Sequence, residues 1–287
     1  MPCALAIRLI PEADLPCELA TGRAAHGLAF DLLGRANPLL ADRLHAMPVK
    51  PFATAPLVDA DGRRPPSFAA GRVTWMRLAL LEDELYPAIL AGDLTGTKLR
   101  MGNVPLAWAG WAVADAGAPV EVGAQPYSTL WGDAATGPTL IRLAFRTPTA
   151  ISQGDADLPL PVPAKLWAGY ATRWRTFAPE VQLPNEIDEG LERWLRLSNY
   201  EIRPARWRYA FPDGAGGTRL YTHLGFLGWI EVTLDRKATR AFAQAARALA
   251  AFSFYAGSGM KTTMGMGQTT PSFGRDGDER LARGRTP

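Results

Sequence analysis

The chain has 287 residues, of which 47% are hydrophobic and 21% are charged, and its formal net charge at pH 7 is +3. This composition is typical of a globular protein with room for two domains of about 100–150 residues. It excludes a bilayer-spanning segment, because no run of about 18 apolar residues is free of charge.

The N-terminal segment lacks the basic start of a signal peptide. Two cysteines, Cys3 and Cys17, are too few for a disulfide framework or a four-ligand zinc site. We therefore expect a reduced, cytoplasmic protein.

The positive charge is concentrated in the second half of the chain. Residues 1–137 carry 11 Lys and Arg against 14 Asp and Glu, whereas residues 138–287 carry 20 against 14. Most of these cations are arginines, which can bind a phosphate through two hydrogen bonds and stack on a base. A GC-rich genome would also favour arginine over lysine, so the basic excess is weak support for a polyanionic partner.

The first half of the chain predicts the order strand, helix, strand, helix, strand. Apolar alternation predicts a strand over 4–10, and helical periodicity predicts a helix over 18–33 and a shorter one that ends near His45. Pro48 and Pro51 end that second helix. The segments that follow are a strand at 72–78, a helix at 82–90, and strands at 97–101 and on to 113. An ambiguous segment at 51–57 could supply one more strand.

A similar order begins again after the loop at 132–137. The predicted segments are a strand at 139–145, a helix at 166–177, hairpin arms at 202–211 and 218–234 around a glycine-rich turn at 213–217, a helix at 237–252, and a short strand before Pro271. The fold class is therefore predicted as α+β, with two tandem β-α-β-β-α-β units of the ferredoxin-like (RRM-like) type. We place the domains at 1–136 and 137–271, and expect a disordered tail at 272–287.

The segment 255–267, which reads YAGSGMKTTMGMG, is the most distinctive part of the sequence. It is not a P-loop, because Met260 stands where a P-loop has glycine, and because it follows a helix and precedes a strand. Its glycines would allow close approach of the backbone to a ligand, and its lysine and threonines would add donors for an RNA phosphodiester chain. A glycine-rich packing loop explains the same residues equally well. The candidate RNA-binding residues in this glycine segment are Gly257, Gly259, Lys261, Thr262, Thr263, Gly265 and Gly267.

Three stretches together resemble the CRISPR-associated endoribonucleases that process precursor CRISPR RNA, the Cas6 family of the RAMP superfamily. One is GFLGWI at 225–230, followed by a helix and the glycine segment. Another is LAFRTPT at 143–149, followed by LPLP at 158–161 and the helix that carries Arg173 and Trp174. The third comprises AHGL at 25–28, Asn37-Pro38, Leu44-His45 and KPF at 50–52. The matches lie in order over residues 4–270, and the family has two tandem ferredoxin-like domains.

The resemblance implies RNA cleavage without a metal or cofactor, by attack of a 2′-hydroxyl on the adjacent phosphate. Such a reaction needs a base, an acid and a cation, and histidine suits the proton transfers near neutral pH. The resemblance places the catalytic histidine at His45 and the charge-stabilising lysine at Lys50. Some members use a tyrosine at the position of Phe30, which cannot transfer a proton, and His26 could share the proton transfer instead. A metal site is disfavoured, since no His, Asp and Glu residues have ligand spacing.

Each histidine also has a structural explanation. A histidine at a helix end interacts favourably with the helix dipole, which would be sufficient for His45. His26 could simply pack on a helix face. His223 lies in a predicted strand and is expected to be structural.

The hairpin arm at 202–211 alternates arginines with Trp207 and Tyr209, so that its arginines could share one face towards RNA. A solvated edge strand protected by charge would have the same pattern, but the family places a basic hairpin here. The candidate phosphate contacts outside the glycine segment are Arg203, Arg206 and Arg208, with Arg173 as a further one.

The expected partner is CRISPR repeat RNA, and the protein is expected to be a monomer or a homodimer that contacts no membrane. Two other functions fit the sequence. One is a non-catalytic RNA-binding subunit among the subunits of a CRISPR effector complex, since RAMP folds also serve that way. The other is a small-molecule enzyme with a glycine-rich phosphate loop, which would bind a nucleotide through Lys261.

Overall fold

The structure is a computed structural model that describes residues 1–20, 22–36, 38–91, 94, 96–114, 117–212 and 218–274. Asn37, the predicted turn at 213–217 and the predicted tail from residue 275 onward lie outside these ranges, whereas Ser272 and Phe273, also predicted as disordered tail, lie in the last strand. The described part has the predicted α+β class, with two main antiparallel sheets that follow one another along the chain. None of the helices in these ranges is long and apolar enough to cross a membrane.

The first half of the chain forms one main sheet and three helices. Its strands are β1 (Cys3–Pro11), β2 (Leu15–Pro16), β3 (Phe52–Thr54), β4 (Ser67–Phe68), β5 (Thr74–Leu80), β6 (Lys98–Met101), β7 (Val104–Ala112) and β8 (Gly123–Ala124). Its helices are α1 (Arg23–Ala36), α2 (Pro38–Ala46) and α3 (Leu85–Ala91).

The strand order of the first sheet is β3-β5-β1-β7-β6, with β8 paired to β1. Because β5 lies between β1 and β3 and is antiparallel to both, the first unit has a split β-α-β arrangement. The ambiguous segment at 51–57 contains β3 and thus supplies the missing strand. This order is consistent with the predicted ferredoxin-like unit.

The second half repeats this plan with longer strands. The strands are β9 (Leu140–Thr149), β10 (Ile151–Gln153), β11 (Ala156–Leu158), β12 (Leu195–Pro212), β13 (Thr218–Leu234) and β14 (Thr269–Phe273). The helices are α4 (Tyr127–Asp133), α5 (Pro163–Phe177), α6 (Ile187–Trp194) and α7 (Arg240–Ala256). The main sheet has the order β12-β13-β9-β14, which corresponds strand for strand to β3-β5-β1-β7.

Two helices, α4 and α6, are absent from the sequence prediction. Both are short, and α4 ends inside the segment predicted as a loop at 132–137. Tyr127 and Leu130 of α4 and the adjacent Ala134 pack in the core of the second sheet. The domain boundary at 136/137 stays a prediction, but residues from 127 onward already contribute to the second core.

The two halves meet at α7, which lies against both sheets. β1 alternates large side chains with small ones, and its large residues Leu5 and Ile7 join the core under α1. On the opposite face of the first sheet, Ala4, Ala53 and Ala79 belong to the same core as α7. Small side chains there allow the helix backbone to approach the sheet, so one hydrophobic core spans both halves.

Arg77 of β5 connects the first sheet to α7. Its side chain is only 3% exposed and donates hydrogen bonds to the carbonyl oxygens of Phe254 (2.6 Å) and Glu121 (2.8 Å). The guanidinium also lies 4.5 Å from the centre of the Phe254 ring. Burial lowers the pKa of Arg77 to about 10, so the cation persists at neutral pH.

We expect Arg77→Met to lower the free energy of unfolding by about 2–5 kcal/mol, because two carbonyl oxygens lose their donor in a buried place. Urea denaturation measures the change. Arg72→Met, at an exposed arginine just before β5, is the matched control and should stay within about 0.5 kcal/mol of wild type. Equal effects of the two variants would contradict a clamping role for Arg77.

Candidate active site

A cleft of about 370 Å³ lies where the two halves meet. Three segments line it: the loop after α2, the outer face of α5 and the glycine segment. The lining residues are Pro48, Val49, Lys50, Gly169, Thr172, Arg173, Lys261, Thr262 and Thr263. Three of these described residues are cations and none is acidic, so the cleft carries positive charge without a neighbouring carboxylate in its wall. Sequence reasoning missed four of the lining residues, Pro48, Val49, Gly169 and Thr172.

The glycine segment is shaped by its own packing. Gly257, Gly259, Gly265 and Gly267 all have φ between 68° and 90°, a region that side chains disfavour. A Cβ at Gly259 would overlap the carbonyl of Ala150, and a Cβ at Gly267 would overlap that of Ser258. The close approach predicted from these glycines is therefore an approach of the protein backbone to itself. Their contact with RNA stays a prediction.

Lys261 stands at the turn of this segment and faces the cleft. It is the one non-glycine residue of the described chain with positive φ, at 52°, and its carbonyl accepts from the backbone N–H of Met264 at 2.9 Å. Such a conformation persists in a non-glycine residue only where the surroundings enforce it. Its ammonium makes no ion pair with a described residue, so its charge is available to a ligand.

Arg173 of α5 holds the start of the glycine segment. Its guanidinium donates to the carbonyl oxygens of Ala256 (2.8 Å), Gly257 (3.1 Å) and Gly259 (3.0 Å). Burial lowers its pKa. Because three of its five N–H donors are used within the protein, Arg173 positions the segment, and its predicted contact with RNA remains untested.

His26 connects α1 to the same segment. Burial lowers the pKa of its imidazole to about 4, opposed by a hydrogen bond to the backbone of Thr263. The Thr263 carbonyl also accepts from the Thr54 hydroxyl at 3.0 Å. The Nδ1 atom of His26 is buried and has no hydrogen-bond partner among the described residues. At neutral pH this histidine is therefore uncharged, with one ring nitrogen enclosed.

His45 lies next to this group but faces solvent. Its ring stacks on Phe30 with centroids 4.1 Å apart and planes 17° apart, and the Phe30 centroid is 4.8 Å from that of His26. Phe30, the residue that stands where some family members carry a tyrosine, thus contacts both histidine rings. Of these two imidazoles, the exposed one at His45 is accessible to a substrate.

Lys50 ends α2. Its ammonium donates to the carbonyl oxygens of Leu44 (2.7 Å), His45 (2.9 Å) and Met47 (2.6 Å). These include the last carbonyls of the helix, where a cation is favourable. Lys50 therefore brings charge to the cleft and also fixes the backbone that carries His45.

The hairpin of β12 and β13 places its arginines on two faces. Arg206 and Arg208 are exposed on one face, whereas Arg203, an odd number of residues away, projects from the other. The predicted single arginine face is thus wrong for Arg203. Trp207 and Tyr209 lie on the Arg203 side and are buried.

Trp207 and His223 link the hairpin to other segments. The Trp207 ring lies 3.1 Å from the position that a Cβ would take on Gly265. His223 pairs with Asp157 of β11 at 2.9 Å and is not among the residues that line the cleft, and the structural role expected for it stays a prediction.

The tandem sheets belong to a RAMP-type fold, and the family models that match the chain support this class. Two family models match the chain: "CRISPR-associated endoribonuclease Cas6" over residues 143–269 and "CRISPR Cas6 N-terminal domain" over residues 1–94. The chain belongs to the Cas6 family, as the sequence resemblance predicted.

Solved structures agree with this assignment. The chain is 27% identical to a Cas6 protein from Thermus thermophilus, with a TM-score of 0.66 over 95% of this chain and 98% of that one. The product complex of the same protein gives a TM-score of 0.75 over 95% and 99%. A second Cas6 protein, in a substrate mimic complex, is 23% identical, has a TM-score of 0.63 over 94% and 99%, and supports the fold alone. No curated protein sequence matches the chain.

Gly267→Ala is expected to destabilise the protein more than Gly71→Ala. Both glycines have a φ near 72°, but a Cβ at Gly71 has nothing within 4 Å, whereas one at Gly267 overlaps a carbonyl. Gly71→Ala should therefore show only the backbone cost of about 1–2 kcal/mol. Urea denaturation of both variants measures the difference, and equal losses would show that the packing of the glycine segment is not required.

Acidification is expected to destabilise the fold through His26. The folded pKa of about 4 lies below the unfolded value near 6.5, so the unfolded chain binds more protons in that window. The free energy of unfolding should fall as the pH falls from about 6.5 to 4. The His26→Leu variant should lack the part of this pH dependence that His26 contributes. Urea midpoints across the window test it, and an unchanged pH dependence in the variant would contradict it.

Proposed function

We propose that this protein is a metal-independent endoribonuclease that cleaves precursor CRISPR RNA within the repeat and yields mature guide RNAs. One observation carries the proposal: the acid-free cationic cleft, built from both halves, lies beside the ring cluster of His26, Phe30 and His45. A polyanion is the ligand that this charge distribution favours.

Cleavage begins with removal of the 2′-hydroxyl proton. The 2′ oxygen then attacks the adjacent phosphorus and forms a cyclic phosphate, while the 5′ oxygen leaves and takes up a proton. We assign proton transfer to His45, because its ring is exposed and is oriented by stacking on Phe30. His26 is neutral and partly enclosed, so we assign it first to holding Thr263 in place and only second to proton transfer.

Charge on the phosphate is stabilised by the lysines. Lys261 has a free ammonium, and we assign it a direct phosphate contact, with Thr262 and Thr263 beside it. The three carbonyls that bind Lys50 carry no net charge, so its ammonium can lower the energy of a nearby anion without changing its own contacts.

The hairpin supplies contacts farther from the chemistry. Arg206 and Arg208 share an exposed face on which guanidinium groups can reach successive phosphates. Arg203 would contact RNA from the opposite face. The partner is the repeat RNA, by analogy with the Thermus thermophilus Cas6 protein that was solved with its product. Effector-complex subunits are a second class of partner, and the protein acts as a monomer or a homodimer.

A non-catalytic RNA-binding subunit is the second candidate function, and it has its own support. The three donors of Lys50 and three of the five donors of Arg173 are occupied by backbone carbonyls, and Nδ1 of His26 is enclosed. These features would be sufficient for a protein that binds RNA without cleaving it.

His45→Ala is expected to reduce the cleavage rate of repeat RNA by about 10²–10⁴-fold, the usual loss when a general acid or base is removed. RNA affinity, measured by filter binding, should change little. Wild-type cleavage in EDTA should equal that in magnesium. Asp42→Ala, exposed on the same helix, is the matched control and should cleave at the wild-type rate.

The outcomes separate the candidates. If wild type binds but never cleaves repeat RNA, the protein is a binding subunit. If EDTA abolishes cleavage, the metal-independent mechanism is wrong.

A further inference from the structure

One wall of the cleft has no role in the proposed cleavage. Gly169 and Thr172 of α5 line it, are both exposed, and lie three residues apart on one helix face. A Cβ at Gly169 would have nothing within 4 Å. The glycine therefore leaves the helix surface beside Thr172 open to a ligand. In the interior of a helix, glycine is less favourable than alanine by about 1 kcal/mol.

Thr172 presents an acceptor to this opening. Its hydroxyl donates to the carbonyl of Ala168 at 2.9 Å, one turn earlier in α5. With its proton used in this way, the oxygen offers lone pairs to a ligand. Thr176 has the same geometry, donating to the carbonyl of Thr172 at 2.9 Å, but does not line the cleft.

The ligand must therefore bring a donor to Thr172 and anionic groups to Lys50 and Lys261. RNA carries both along its backbone, because each ribose 2′-hydroxyl can donate beside a phosphate. DNA lacks that donor. A phosphate oxygen would instead meet the lone pairs of Thr172 unfavourably, so the ribose is the group that fits here.

We propose that Gly169 and Thr172 form a ribose subsite in which the 2′-hydroxyl of one bound nucleotide donates to Thr172 Oγ1. This inference rests on the proposed RNA-binding function and deepens it. The 2′-hydroxyl that it recognises is separate from the one that attacks the phosphate. The subsite would make binding itself, and not only cleavage, selective for RNA over DNA.

The test combines protein variants with RNAs in which single 2′-hydroxyl groups are replaced by hydrogen. Every probe is a repeat RNA with a 2′-deoxy nucleotide at the mapped cleavage position, which prevents cutting. One further 2′-hydroxyl is replaced by hydrogen in turn, and each probe is titrated against wild type, Thr172→Val and Thr176→Val. The valine is nearly isosteric with threonine and cannot accept a hydrogen bond.

We expect removal of the 2′-hydroxyl to weaken binding through Thr172 at one nucleotide of the repeat. Its 2′-deoxy form should bind wild type and Thr176→Val about two- to tenfold more weakly, the contribution of one hydrogen bond. Thr172→Val should bind both forms of that nucleotide equally, as expected when the two changes remove one shared contact. Thr172→Ser, which keeps the hydroxyl, should restore the difference and shows that loss of packing is not the cause.

Gly169→Leu tests the approach path. It should weaken repeat RNA binding, because the new side chain stands between the ribose and Thr172. Gly132→Leu is the matched control, since Gly132 is also exposed on a helix with nothing within 4 Å of its Cβ position. It should bind RNA as wild type does.

The results distinguish the inference from the function on which it rests. If every 2′-deoxy effect is the same in wild type and Thr172→Val, the ribose subsite is wrong while RNA binding stands. If repeat RNA does not bind wild type at all, the proposed function itself fails.

Discussion

The packing of α7 against both sheets is the constraint on which the rest of the structure depends. The helix is buried along most of its length, and its last turn leads directly into the glycine segment. Its position therefore sets where that segment enters the cleft. Arg77 fixes the helix to the first sheet through the Phe254 carbonyl, and Arg173 fixes the residues that follow it. A shift of α7 would move Lys261 relative to His45, so packing in the core determines the geometry of the surface site.

Local patterns allowed much of the fold to be predicted from sequence. Alternation located β1 and β13, and helical periodicity located α5 and α7 within a few residues. The short helices α4 and α6 gave too weak a periodic signal. The clamp at Arg77 and the anchor at Arg173 could not be predicted, because both arginines bind backbone carbonyls, which every residue carries. The candidate site was predicted in outline through the family resemblance, whereas its α5 wall required the tertiary structure.

The cleft keeps its positive charge in an unusual way. Lys50 and Arg173 each donate three hydrogen bonds to main-chain carbonyls and none to a carboxylate of the described residues, so their charges are not neutralised by an ion pair. Dipoles hold these cations in fixed positions before any ligand arrives, and little reorganisation is needed when an anion approaches. Since a carbonyl is a backbone group, substitution of a neighbouring side chain does not remove it.

The shared core has a consequence for folding and binding together. Because residues of both halves form one hydrophobic cluster, the two sheets are expected to unfold in a single cooperative transition. A ligand that occupies the cleft touches both halves at once, so its binding free energy adds to the stability of the whole chain by mass action. A processing enzyme that retained its cleaved RNA would thus resist heat and proteolysis for as long as the product stayed bound. Dissociation of the guide would remove this stabilisation.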